Sequence, residues 1–131
     1  MKNILISLIF TVFLPIFLTS CAGTNARESL SWAGCYSGTI PAANGQGINV
    51  KLTLNADNTY SLIYDYIDKI NTFKEEGTFY RYKASNFIVL LDSKYPKYYK
   101  ISDGHLLQLD MEGHIITGDH ADQYVFEKKI N

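Results

Sequence analysis

The most regular feature of the chain is a two-residue alternation of apolar and polar positions between residues 48 and 67. Residues 48–54 carry Ile, Val or Leu at every second position, with polar residues between them. Such a strand has one buried and one wet side. Ala56-Asp57-Asn58 supplies turn residues, and the alternation resumes over 59–67. The pattern predicts two antiparallel strands joined by a tight turn.

Further short strands follow as far as the C-terminus, separated by turn residues. They are predicted at 76–83, 87–91, 97–102, 105–110, 115–117 (a brief one) and 124–128. No segment after residue 20 shows a convincing helical period of 3.6. The fold class predicted is therefore all-β, a single antiparallel meander of about eight strands. It would close into a small barrel, which removes exposed strand edges, or stay open as a half-barrel.

The first 20 residues stand apart from this pattern. Lys2 is their one charge, and residues 4–18 form an uncharged run that is short for a membrane span and typical of the apolar part of an export signal. We expect a helical signal peptide over 1–20. Residues 21–31 are small and polar and are predicted to form a flexible tether. The single folded domain is then 32–131.

The end of the signal segment carries a short motif. Leu18-Thr19-Ser20-Cys21 followed by Ala22-Gly23 resembles the lipobox of bacterial lipoproteins. The resemblance implies a lipid anchor on the Cys21 thiol, and the Ala at position 22 implies the outer membrane, with the protein facing the periplasm. The alternative is an ordinary secretory peptide or an uncleaved anchor in which Cys21 is incidental.

Charge and cysteine content narrow the possible partners. The 111 residues after the signal hold 11 basic and 13 acidic side chains, well mixed, for a net charge of −2, so nucleic acid is not an expected partner. With Cys21 lipidated, Cys35 is the remaining thiol, which allows neither an internal disulfide nor a cysteine metal cluster. We expect a buried, inert thiol in a monomer, although a reactive or intermolecular role for Cys35 stays open.

Motifs spread over most of the mature chain point to a family. They are Trp32-x-Gly34-x-Tyr36-x-Gly38-x-Ile40-Pro41, Gly47-Ile48, Leu52-Thr53-Leu54-x-x-Asp57-x-Thr59-Tyr60, Glu76-Gly77-Thr78-Phe79, Leu107-x-Leu109-Asp110-Met111-Glu112-Gly113-x-x-Ile116 and Tyr124-x-Phe126-x-Lys128. This pattern resembles the N-terminal domain of the NlpE family of outer-membrane lipoproteins. The resemblance implies a lipocalin-like β-barrel, lipid anchoring, and roles in copper resistance and in signalling of surface contact or envelope stress.

The loop after Pro41 departs from that family pattern. Members usually carry a C-x-x-C pair there, whereas this chain has Ala42 and Gly45 at the two positions. Without thiolates, neither Cu(I) binding nor redox sensing at this loop is expected. Full members also carry a further C-terminal domain, which we do not expect here.

The sequence gives little evidence for a metal site or a catalytic site. Three histidines, His105, His114 and His120, lie among acidic residues near predicted turns, but their spacing matches no ligand motif, so we expect no metal site and no cofactor. The carboxylate pairs Asp65/Asp68 and Glu75/Glu76 are interpreted as surface charge. No nucleophile, phosphate-loop or zinc-protease motif occurs, so we expect no enzyme activity.

The segment 94–100 interleaves three tyrosines with three lysines around Pro96. It predicts an exposed contact surface formed by Tyr95, Lys97, Tyr98 and Tyr99. The resulting hypothesis is a non-enzymatic outer-membrane lipoprotein that binds a protein or another envelope component. The alternative is a lipocalin-like carrier holding a small apolar ligand, which requires an interior cavity of roughly 300 Å³ or more.

Overall fold

The computed structural model describes residues 31–43, 45–68 and 70–130. The predicted signal peptide and nearly all of the predicted tether lie outside these residues. Eight strands follow one another along the chain: β1 Gly34–Ile40, β2 Ile48–Leu54, β3 Thr59–Tyr66, β4 Thr72–Tyr82, β5 Phe87–Leu90, β6 Tyr98–Ser102, β7 His105–Gln108 and β8 Val125–Lys128.

The eight strands form one closed antiparallel barrel in sequence order. β2 pairs over its whole length with β3, with Leu52 opposite Leu62, as the alternation predicts. β1 closes the ring against β8, where Tyr36 lies opposite Lys128. The predicted antiparallel meander is confirmed, and the half-barrel alternative is wrong because the first and last strands pair.

The barrel interior is the hydrophobic core. Alternate residues of β2 are buried, and the same holds along β3. Trp32, 8% exposed, belongs to this core and packs edge-on against Phe79 at a ring-centroid distance of 5.7 Å. Gly38 makes room for Phe126, since a Cβ at position 38 would lie 2.5 Å from its Cδ1. Close packing of this kind is sensitive to single methyl groups.

Four elements differ from the strands that the alternation predicts. β1, Gly34–Ile40, precedes the first predicted strand. β4 begins at Thr72 rather than 76, because Thr72–Glu75 pair in register with β3 although three of these four side chains are polar. The predicted strand at 115–117 is reduced to one bridge between Leu109 and Ile115. A short 3₁₀ helix, Ala121–Tyr124, precedes β8.

The turns use residues that tolerate left-handed backbone. Asn58 and Asp103 have φ values of 65° and 49°, in the β2–β3 and β6–β7 turns. Asparagine and aspartate are enriched in this region among non-glycine residues. Among the described residues no helix is both long enough and apolar enough to cross a membrane.

Candidate functional site

The interior of the barrel is filled by side chains. Leu52 and Leu62 are 0% exposed, and Leu54 and Tyr64 are 1% and 3% exposed. Residues lining a ligand-sized cavity would remain accessible to a water-sized probe. The cavity that a lipocalin-like carrier requires is therefore not formed by these four residues.

Buried tyrosines occupy much of that interior. The Tyr36 hydroxyl donates to the Trp32 carbonyl at 2.7 Å, and the Tyr99 hydroxyl donates to the Pro96 carbonyl at 2.9 Å. Burial raises the pKa of Tyr64 to about 12. These phenols therefore stay neutral at physiological pH. Tyr36 and Tyr99 act as hydrogen-bonding core residues, whereas the buried Tyr64 hydroxyl has no hydrogen-bond partner among the described residues.

Glu75 organises the loop between β5 and β6, here called the 91–97 loop. Its carboxylate accepts hydrogen bonds from the Tyr60 hydroxyl at 2.8 Å, the Ser93 hydroxyl at 2.5 Å and the Lys94 amide at 3.0 Å. Partial burial raises the pKa of Glu75, but these hydrogen bonds outweigh it and the net pKa is lowered. Glu75 therefore ties a surface loop to the core, and its interpretation as free surface charge is wrong.

The predicted contact surface divides between the inside and the outside of the barrel. Tyr99 is 0% exposed and so cannot contribute to a contact surface, and Tyr95 stacks on Tyr64 with a centroid distance of 4.5 Å. Lys97 and Tyr98 do face outward, with the Lys97 Nζ 5.2 Å from the Tyr98 ring centroid. Alternation along β6 explains the division, because Tyr98 and Tyr99 point to opposite faces.

Tyr98 belongs to a larger group on the outside of β4, β5 and β6. Tyr80 and Tyr82 are 55% and 52% exposed. Ring-centroid distances of 4.7, 6.0 and 5.6 Å link Tyr80 to Tyr82, Tyr82 to Phe87, and Phe87 to Tyr98. We call these four residues the aromatic surface. In the sequence, the tyrosines at alternate positions 80 and 82 indicate that both lie on one face of a strand. They do not indicate which face, because tyrosine suits a barrel core and a binding surface equally well.

The loop after β1 contains the two positions where the family carries cysteines. Ala42 packs partly buried against the core, and Gly45 lies beside Asp68, whose carboxylate accepts from the Gln46 amide at 2.7 Å. A cavity of about 250 Å³ lies between this loop and Tyr66. Neither Ala nor Gly has a metal-binding side chain, and no such side chain replaces them at these positions.

The histidines are spread over the C-terminal third of the barrel. His114 Nδ1 lies 3.6 Å from Glu112 and 3.7 Å from Asp110, on an exposed turn, and His105 Nδ1 lies 3.0 Å from the Asp103 carbonyl oxygen. Within the described part of the chain, no three His, Cys, Asp or Glu side chains converge as a metal site would require. Cys35 is half-buried on the outer side of β1, not in the core.

Comparison with known proteins identifies one family, and solved structures of similar chains include the following two. The model of the NlpE N-terminal domain matches residues 36–119. A protein from Shewanella oneidensis described as a candidate lipoprotein is 37% identical with a TM-score of 0.69, and the match covers 79% of this chain and 94% of that one. The Cpx pathway activator NlpE from Escherichia coli is 31% identical with a TM-score of 0.56.

The match to the Escherichia coli protein covers 66% of this chain and 46% of that one, so this chain spans just under half of its length. A search of the curated proteins gave no match. The family model nonetheless covers well over half of this chain. The chain is a member of the NlpE family and contains its N-terminal domain.

Proposed function

We propose that this protein is a lipid-anchored, non-enzymatic lipoprotein of the outer membrane, facing the periplasm, whose barrel binds an envelope component through its outer surface. The observation that carries the proposal is the filled interior. Core residues such as Leu52, Leu62, Ile88 and Leu106 are 0% exposed, so little room remains inside for a substrate or a carried ligand. Binding then falls to the outside of the barrel.

The outer surface of the barrel is polar on one side and aromatic on the other, and the aromatic side is the better candidate for binding. The outward positions of β1 to β3 are mainly polar, whereas β4 to β6 present the aromatic surface. Exposed tyrosine is enriched where proteins bind partners, because it combines a large rigid ring with a polar tip. Lys97 and Tyr98 are the predicted contact residues that retain this role.

Family membership supports the envelope location, and the motif ending in Cys21 supports the anchor. Several acyl chains, each stabilising the membrane-bound state by about 0.8 kcal/mol per buried methylene, hold a protein firmly in a bilayer. Copper chemistry is not part of the proposal, because Ala42 and Gly45 stand at the family's cysteine positions.

The anchor is tested by replacing Cys21. In cells fed a fatty-acid analogue, Cys21→Ser should abolish labelling and move the protein from the membrane to the soluble periplasmic fraction. Cys35→Ser is the matched control, since it removes the other thiol, and it should leave both readouts unchanged. Membrane association and labelling that persist in Cys21→Ser would refute the anchor.

The binding role is separated from the carrier role by mass spectrometry of the protein purified from envelopes. A solid barrel should release no stoichiometric small apolar molecule on denaturation. Recovery of one such molecule per chain would overturn the proposal and favour a carrier.

A further inference from the structure

We propose that the aromatic surface rests on the membrane to which the chain is anchored, so that the outside of β4 to β6 contacts an anionic phospholipid surface and fixes the orientation of the barrel. This inference rests on the lipid anchor proposed above. It adds to that proposal a second, protein-borne contact with lipid.

The composition of the aromatic surface suits the membrane interface. Tyr80, Tyr82, Phe87 and Tyr98 combine apolar rings with three phenolic hydroxyls, and such side chains concentrate at the level of lipid headgroups. Tyr80 and Tyr82 meet edge to face, at an interplanar angle of 70°. The four rings therefore pack side by side on the outer side of the sheet, with Tyr80 and Tyr82 exposed and Phe87 and Tyr98 half-buried.

Lysines outnumber carboxylates around the aromatic surface. Lys83 follows Tyr82, Lys97 lies against Tyr98, and Lys100 pairs opposite Phe87. The outward positions of 78–82, 87–89 and 98–102 carry no carboxylate. Glu76, the next outward residue along β4, is paired with Lys74 at 2.8 Å. The 110–113 turn, whose Gly113 backbone lies against Phe87, adds Asp110 and Glu112 on one flank, so three lysines face two carboxylates and the local charge is weakly basic.

Lysines in this position favour anionic lipid. Each lysine near an anionic headgroup layer should raise affinity about fivefold. Their long aliphatic stems can lie along apolar surface while the ammonium reaches the headgroups. A face of three lysines and four aromatic rings therefore matches an anionic bilayer in both charge and polarity.

The position of the chain's entry into the barrel is the third observation. Trp32, the second described residue, lines a cleft of about 370 Å³ together with Tyr80 and Lys83, and the Arg81 guanidinium lies 5.4 Å from the Trp32 ring centroid. The ten residues 21–30 that precede can span at most about 35 Å. A lipid on Cys21 thus holds the bilayer within reach of Tyr80, and tethering at short range makes even a weak contact effective.

The experiment uses the full chain, expressed with its own leader, purified in detergent and checked for acyl groups by mass spectrometry. In a Cys35→Ser background, a single cysteine is introduced as Tyr82→Cys or, for the control, Thr53→Cys. Thr53 faces outward on β2 at the same end of the barrel, on the polar side. Each cysteine carries an environment-sensitive fluorophore, and each protein is reconstituted into vesicles that contain brominated lipid.

Quenching by brominated lipid should be several-fold stronger at position 82 than at position 53. It should increase when phosphatidylglycerol is added to phosphatidylcholine and decrease in high salt. Adding Tyr80→Ser and Tyr98→Ser should reduce quenching at position 82, while circular dichroism verifies that the barrel is intact.

Equal quenching at the two positions would overturn the proposal. So would a fluorophore at position 82 that lipid does not quench but that becomes shielded when envelope proteins are added, since the surface would then be a protein-binding site. If mass spectrometry finds no acyl chain, the anchor proposal fails on its own. A Cys21→Ser chain held to the vesicles by an N-terminal histidine tag on nickel-chelating lipid then keeps position 82 or 53 as the one labelled thiol, and the same quenching comparison decides the docking proposal.

Discussion

Glu75 offers the sharpest test of how the barrel holds its 91–97 loop. Its carboxylate accepts three hydrogen bonds, from Tyr60, Ser93 and Lys94. In Glu75→Gln one amide oxygen can still accept from the two hydroxyls, but the side-chain NH₂ would face the Lys94 amide, which is also a donor. One charged hydrogen bond is lost and two become neutral.

The expected cost follows from those bonds. Hydrogen bonds to a charged group contribute about 1.5–3 kcal/mol and neutral ones about 0.5–1.5 kcal/mol, and the partly exposed position of Glu75 reduces the difference. We expect Glu75→Gln to lower the free energy of unfolding by about 1–2 kcal/mol at pH 7, measured by urea unfolding. For a domain of this size that corresponds to a Tm decrease of about 5–15 °C.

The pH dependence has a defined sign. The pKa of Glu75 is lowered in the folded protein from its ordinary value of 4.5. Its contribution is therefore present above that value and lost as pH falls through the lower folded pKa. The difference between wild type and Glu75→Gln should shrink with acidification below pH 4.5.

Glu76→Gln is the matched control. Glu76 lies next in sequence but faces outward in an exposed pair with Lys74, so its substitution should change stability by less than about 0.5 kcal/mol. Two results would refute the proposed role of Glu75 in holding the 91–97 loop. One is an equal loss of stability in the two variants, and the other is a Glu75→Gln effect that does not change on acidification.

Three further outcomes are expected. Leu62→Ala should lower the free energy of unfolding by about 2–5 kcal/mol, because Leu62 is 0% exposed, whereas Ile63→Ala, on the outer face, should cost clearly less in the same denaturant titration. Gly38→Ala should destabilise the barrel, since its Cβ would lie 2.5 Å from a Phe126 ring carbon. Adding Phe126→Leu should recover part of the lost stability, whereas full stability of the single variant would contradict this packing. In competition with a strong Cu(I) chelator under reducing conditions, the protein should retain no stoichiometric Cu(I), because a lone thiol such as Cys35 is a poor Cu(I) site; retention by the monomer would show that other ligands replace the missing cysteine pair.

The sequence by itself determined seven of the eight strands, β2 to β8, and the two faces of most of them. Alternation needs only neighbouring residues, so it correctly predicted that Leu52 and Leu62 face the core and that a tight turn joins β2 to β3. The motifs also identified the family before any coordinates were considered, because they depend on residue types at fixed spacing along the chain.

Tertiary structure decided what depends on residues distant in sequence. Closure of the ring pairs Tyr36 with Lys128, and Glu75 bonds Lys94, nineteen residues away; local periodicity carries no information about either contact. Alternation also cannot choose between faces when both are aromatic. It places Tyr98 and Tyr99 on opposite faces of β6. Only the closed barrel, in which the neighbouring strands enclose one face of β6, decides that Tyr99 is buried and Tyr98 lies outside.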